Sequence, residues 1–186
     1  MTDCLQGAFS SGGGSGGGGG SVELLSSQEL TEAATNITYT PDSALSPDTY
    51  AYLIVSGMVE PSDDGVQILL NLNDRETDGY YADGTRTSGD STQIEDNNDK
   101  GWFAIKDETK QDESCGFQVI IFLANDTISE PYPTFYSQAF SYQRGYTAIG
   151  GTLRKDEQSI DKVKVSAQAG DLAAGSYMQV YGVKLT

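Results

Sequence analysis

The chain has 186 residues and carries 27 acidic side chains against 11 basic ones, for a formal net charge of −16 and a pI of about 4.1. That length suits one ordinary domain plus an appendage, and a hydrophobic content of 37% is enough to bury one core. The charge argues against nucleic acid and against an anionic membrane as partners, because both need clustered Lys or Arg. It reads either as solubility or as attraction to a basic protein surface or to divalent cations.

Residues 1–11 (MTDCLQGAFSS) form a short head with Leu5, Ala8 and Phe9 as its apolar members. It has no positive n-region and no apolar h-region, so it does not read as a secretory signal. No apolar run approaches a membrane span. The expectation is a soluble protein made in a cytosol and carried out, if at all, as part of a particle. Cys4 and Cys115 read as free thiols, with a cross-chain bridge through Cys4 as the alternative. Residues 12–20 are glycine apart from Ser15. Free in solution, about ten such residues span roughly 18 Å. Residues 1–21 therefore read as a plug on a tether. Cys4, Leu5 and Phe9 form the docking tip, and Gly12 to Gly20 form the spacer.

From residue 22 short β-rich runs alternate with turn clusters, as in a sandwich or barrel. Strands are expected near Val22–Ser26, Thr35–Thr40, Tyr50–Met58, Val66–Leu72, Trp102–Ile105, Gly116–Leu123, Phe135–Tyr142, Ala148–Leu153, Ile160–Val165 and Tyr177–Leu185. Pro41, Pro47, the 61–65 cluster, Pro131, Pro133, Arg144-Gly145 and Gly170 read as breakers. The run Phe117–Leu123 is nearly all apolar and reads as a central strand. In the last run, Met178 and Val180 share one face and Tyr177, Gln179, Tyr181 and Val183 the other. Lys162 and Lys164 alternate with Val163 and Val165, which predicts a strand with one wet face. Ser27–Thr35 is a helix candidate without a wide apolar stripe. Residues 73–101 read as a long polar loop, either functional or disordered.

The chain has no histidine, which removes His-based triads, His metal sites and His pH switches. Two cysteines far apart make no zinc site. The glycine run lacks both the Gly-Lys-Ser/Thr of a P-loop and a βαβ context. A carboxylate pair could still cleave glycosides, but the acids sit mostly in polar stretches where nothing perturbs them. The expectation is therefore no enzyme and no cofactor. Asp74, Glu76 and Asp78, followed by Gly79, resemble the front half of a calcium loop. The back half fails, because Thr85 stands where the bidentate acid belongs, and the alternative is a solvated acidic turn. Tyr80-Tyr81, Tyr132, Phe135, Tyr136, Tyr142 and Tyr146 are dense for the length. They read as core and strand-face packing or as an aromatic contact surface. Tyr80 and Tyr81, within the polar stretch, are the candidates for receptor contact.

Several stretches in order carry a resemblance. They are the glycine run 12–20, Asn36-Ile-Thr-Tyr-Thr40, Thr49-Tyr-Ala-Tyr-Leu-Ile-Val55, Leu70-Asn-Leu-Asn-Asp74 leading to Tyr80-Tyr81, and Gly175-Ser-Tyr-Met-Gln-Val-Tyr-Gly-Val-Lys184. This order resembles bacteriophage virion proteins with a Gly-rich N-terminal region and a small β-sandwich. The likeness covers nearly all of 12–186, and its most specific piece is the C-terminal strand. That strand has Tyr177-Met178-Gln179 where the family often has a basic residue. The resemblance implies an all-β, jelly-roll-like antiparallel sandwich spanning 22–186 behind the arm 1–21. It also implies a non-enzymatic virion component, a capsid decoration protein or head fibre or a short tail-associated fibre. Such a component is often self-associated, here expected as a homotrimer through bundled glycine arms, and it attaches to the major capsid or a tail protein. The rival expectation is a receptor- or glycan-binding tail adhesin that works through Tyr80, Tyr81 and the acidic stretch.

Overall fold

The structure is a computed structural model. It describes residues 20–74, 80–88, 91–97, 102–105, 113–123, 133–141, 144–152 and 159–184; over 80–105 and most of 144–152 it describes the backbone course. The described chain forms twelve strands: β1 (Ser21–Glu29), β2 (Asn36–Tyr39), β3 (Tyr52–Val59), β4 (Ile68–Leu72), β5 (Tyr80–Ser88), β6 (Ser91–Asn97), β7 (Trp102–Ile105), β8 (Cys115–Phe122), β9 (Thr134–Ser141), β10 (Arg144–Thr152), β11 (Val163–Ala167) and β12 (Tyr177–Lys184). They make an eight-stranded sheet, ordered β1-β12-β3-β8-β9-β10-β5-β6, and a four-stranded sheet, ordered β2-β11-β4-β7. Every pairing is antiparallel.

The small sheet packs across one face of the large one: β2 touches β1 and β12, and β7 touches β8, β9, β10 and β5. The core lies between them. The large sheet contributes Leu53, Val55, Val119, Ile121, Phe135, Met178 and Val180, and the small sheet Ile37, Ile68, Leu70, Leu72, Val163 and Val165. Period-2 alternation places each of these on the inner face. The alternation expected for β12 is therefore the alternation observed, with Met178 and Val180 fully buried.

Four expectations are corrected. Residues 80–88 and 91–97 are not loop but an antiparallel pair, β5 and β6, and β5 also pairs along its length with β10. A polar strand flanked on both sides satisfies its backbone by ladder hydrogen bonds and needs no apolar alternation. Ser27–Thr35 is not helix: β1 runs to Glu29, and Ala34 forms an isolated bridge with Leu172. Arg144-Gly145 does not break the chain but opens β10. β11 has no wet face over Lys164, which is only 9% exposed between β2 and β4, where Asn71 and Thr38 are its register partners. All five residues of the neighbouring β4 are buried, so both faces of that strand are covered.

β4 ends on two residues in the left-handed region, Asn73 (φ 54°) and Asp74 (φ 58°). Asn and Asp tolerate that region best among residues with a Cβ. Asn73 also clamps the chain before β11. Its Oδ1 accepts from the backbone N–H of Asp161 at 2.9 Å and of Lys162 at 3.3 Å, and its Nδ2 donates to the Ser159 carbonyl at 2.9 Å.

Candidate functional site: an uncharged sheet face

The small sheet covers one face of the large sheet. Register places the outward side chains of β12, β3, β8 and β9 in rows that cross the four strands. The first row is Val183, Tyr52, Phe122 and Thr134, and the second is Tyr181, Ile54, Ile120 and Tyr136. The third is Gln179, Ser56, Gln118 and Gln138, and the fourth is Tyr177, Met58, Gly116 and Phe140. None of these sixteen positions carries a charge, although 20% of the chain is charged and about three of sixteen would be expected.

Phe140 is 66% exposed, Phe122 46% and Met58 40%. Beyond β12, the edge strand β1 continues the first two rows with Val22 (44% exposed) and Leu24 (53%). β8 explains how this face arises. Its apolar run is central, as expected, but only alternate residues, Phe117, Val119, Ile121 and, just past the strand, Leu123, join Cys115 in the core. Ile120 and Phe122 belong to the outer rows. The Phe122 ring lies 6.0 Å from that of Tyr52, tilted by 46°, a spacing that favours aromatic pairs.

The third row is polar and neutral. Gln138 Nε2 donates to the Tyr136 hydroxyl at 2.7 Å, the Tyr181 hydroxyl donates to Gln179 Oε1 at 3.1 Å, and Gln179 Nε2 donates to Ser27 Oγ at 3.4 Å. These bonds link the amides to the aromatic row beside them and hold the side chains against the sheet. A groove of about 610 Å³ crosses the third and fourth rows. Ser56, Gly145 and Thr147 line it with small side chains or none, and Met58, Tyr177 and Phe140 with large ones. Gly116 lies opposite Phe140, and a Cβ at Gly116 would sit 2.8 Å from Phe140 Cζ, so the ring leans over the glycine.

Charge gathers instead at the strand ends. Lys184 Nζ lies 2.8 Å from Glu23 Oε2, the Tyr50 hydroxyl donates to the same oxygen at 3.3 Å, and Lys184 stands 5.3 Å above the Tyr50 ring. Tyr50 is buried and lies over Gly182 of β12. The hydrogen bond and charge of Lys184 hold the Glu23 carboxyl below its ordinary value, and Glu23 in turn raises Lys184. Burial pushes the Tyr50 phenol up. Cys115 is a free, fully buried thiol pushed up to about 11, first by desolvation and then by the nearby Glu113 and Glu60 carboxylates. A thiol so protonated and inaccessible is a packing residue rather than a nucleophile.

The other residues singled out in the sequence fall elsewhere. Tyr80 and Tyr81 open β5 and pair with Thr152 and Gly151 of β10, so they lie on a strand and not in a polar loop. The calcium candidate keeps only Asp74 in view, and that carboxylate is ion-paired with Lys162. Glu76 and Asp78 lie outside the described residues. Among the described residues no group of three or more His, Cys, Asp or Glu could hold a metal ion. In the arm, Cys4, Leu5, Phe9 and Gly12 also lie outside the described residues. Gly20 is described, and its backbone runs so close to the Lys184 carbonyl that a Cβ would collide with it.

Sequence reasoning placed the β12 members of the uncharged face but not the face itself, which joins residues from four strands. Comparison with protein-family models, with curated proteins and with solved structures gives no match.

Proposed function

We propose that this protein is a non-enzymatic bacteriophage virion component, a capsid decoration protein or short fibre that works by protein–protein assembly. The observation that carries the assembly part of this reading is the uncharged outer face of β12, β3, β8 and β9. On a chain of net charge −16, a broad neutral and partly apolar face is where another protein can approach without like-charge repulsion. The virion part rests on the ordered resemblance, from the glycine run to the Gly175–Lys184 strand. A jelly-roll-like winding belongs to the same reading. Of the eleven connections between the twelve strands, all but β5–β6, β8–β9 and β9–β10 change sheets, which leaves eight.

In this proposal residues 1–21 attach the sandwich to the major capsid or a tail protein, with three copies joined through their arms. The acidic remainder keeps the particle surface from adsorbing nucleic acid. The test is a chain lacking residues 1–21, produced during infection in place of the full one. It should be folded and soluble yet missing from purified particles. Incorporation at the level of the full chain would remove the arm from the account.

A further inference from the structure

We infer that the uncharged outer face of the large sheet is a self-association surface, and that its occupant is the same face of a second copy of this chain. Three features of the face select a copy over an unrelated partner.

The first is charge. Two molecules of net charge −16 repel over most of their surfaces. The sixteen-position field on β12, β3, β8 and β9 has no charge to set against its twin. A basic partner would find nothing there to pair with.

The second is self-complementary relief and chemistry. Phe140, 66% exposed, stands beside a groove of about 610 Å³ that Gly145, Ser56 and Thr147 line with small side chains or none. The face thus carries both a knob and a hole, which is what an isologous two-fold contact requires. Along the groove, next to the aromatic second row, runs the amide row Gln179, Gln118 and Gln138. An amide is donor and acceptor at once, so a row of amides can bond to its own copy.

The third is size. The four strands of the field with β1 and β10 on either side, about 4.8 Å apart and about 24 Å long, offer roughly 700 Å², close to the roughly 800 Å² per partner of a stable interface, with the carboxylate of Glu29 at the rim on β1 beside Tyr177. Two such sheets stacked face to face would lie about 10 Å apart, as the layers of a sandwich do. This inference stands apart from the virion reading, because it concerns purified protein and is independent of what the arm attaches to.

The experiment is sedimentation equilibrium of the full chain and of the double variant Phe140→Asp, Gln118→Glu, at concentrations up to about 100 μM. Both positions are exposed, so the variant should keep its β-sheet circular dichroism. If it does not, Gln118→Glu alone serves at the centre of the face. The wild-type molar mass should be a multiple of 19.8 kDa, and the variant should have half of it. That halving is expected whether the arms join three copies or none. Raising NaCl from about 0.1 to 1 M should leave the wild-type mass unchanged or higher, since no ion pair holds the contact. A wild-type monomer at the highest concentration would overturn the inference. So would a variant of unchanged mass, whatever that mass is.

Discussion

Two glycines of the large sheet, on strands separated by β3, should respond to the same substitution in opposite ways. Gly182 of β12 lies beneath Tyr50, and a methyl group there would fall inside the van der Waals envelope of the ring. The ring has little room to retreat. It is 8% exposed, its hydroxyl is bonded to Glu23 at 3.3 Å, and Lys184 stands over its face. Forcing one carbon into such a site costs about 1–3 kcal/mol. For a domain of this size each kcal/mol lowers Tm by about 2–4 °C, so Gly182→Ala should unfold roughly 2–12 °C earlier. At Gly116 of β8 the added carbon would meet Phe140 Cζ at 2.8 Å, but that ring is 66% exposed and can swing outward. There the smaller unfolded-state entropy of Ala works without opposition, and Gly116→Ala should change stability by no more than about 0.5 kcal/mol or raise it slightly. Thermal unfolding followed by circular dichroism compares the two. Equal shifts, or a neutral Gly182→Ala, would refute the placement of Tyr50 over β12. A Tyr50→Leu background sharpens the test, because removing the hydroxyl anchor should reduce the Gly182→Ala penalty.

Other predictions concern the strand-end charges, the buried thiol and the β4 clamp. The Glu23 carboxyl is held below its ordinary 4.5, so its contribution is present above that pH and fades as pH falls through its folded value. Denaturant titrations should therefore show the gap between wild type and Glu23→Gln closing below about pH 4.5. Lys184 is raised above 10.5, and the Tyr50 phenol above 10 by burial. Both stabilise the fold below those values and lose their contribution as pH rises through them, so stability should decline at alkaline pH, and less so in a Lys184→Ala, Tyr50→Phe variant. In a Cys4→Ser background, Cys115 should react with a disulfide reagent only as fast as the protein unfolds, since it is fully buried and pushed up to about 11. Immediate labelling of the native protein would contradict its position in the core. Asn73→Ala should cost about 1–3 kcal/mol, through lost side-chain hydrogen bonds and an unfavourable left-handed backbone. Asn73→Gly, which loses the bonds but suits the backbone, should cost measurably less in equilibrium unfolding.

Much of the sandwich is legible wherever a strand has one face in the core. In β12 the alternation of Met178 and Val180 against Tyr177, Gln179 and Tyr181 fixes the inner face before any neighbour is known. β8 is legible as a central strand, but its apolar run conceals that Ile120 and Phe122 face outward. Composition cannot separate a strand buried on both faces from one with an apolar face awaiting a partner. β5 and β6 escape because Asp83, Gly84, Gln93 and Glu95 give no apolar alternation, and the pairing with β10 that holds β5 is remote in sequence. Their β-branched members, Thr85, Thr87, Thr92 and Ile94, were the available signal. Lys164 misled for a related reason: alternation shows which residues share a face, and tertiary packing decides whether that face meets water. The candidate site suffers most from this limit. Gln118, Gln138 and Gln179 are unremarkable in three separate stretches, and only strand register sets them in one row along a groove.

The central claim is that this chain is part of a phage particle, and the most direct test is immunogold electron microscopy of the purified parent virions with antibody raised against residues 22–186. The account predicts gold on the particle, over the head for a decoration protein or head fibre and at the tail for a short fibre. Particles without gold, from an infection in which the same antibody finds the protein free in the lysate, would contradict it.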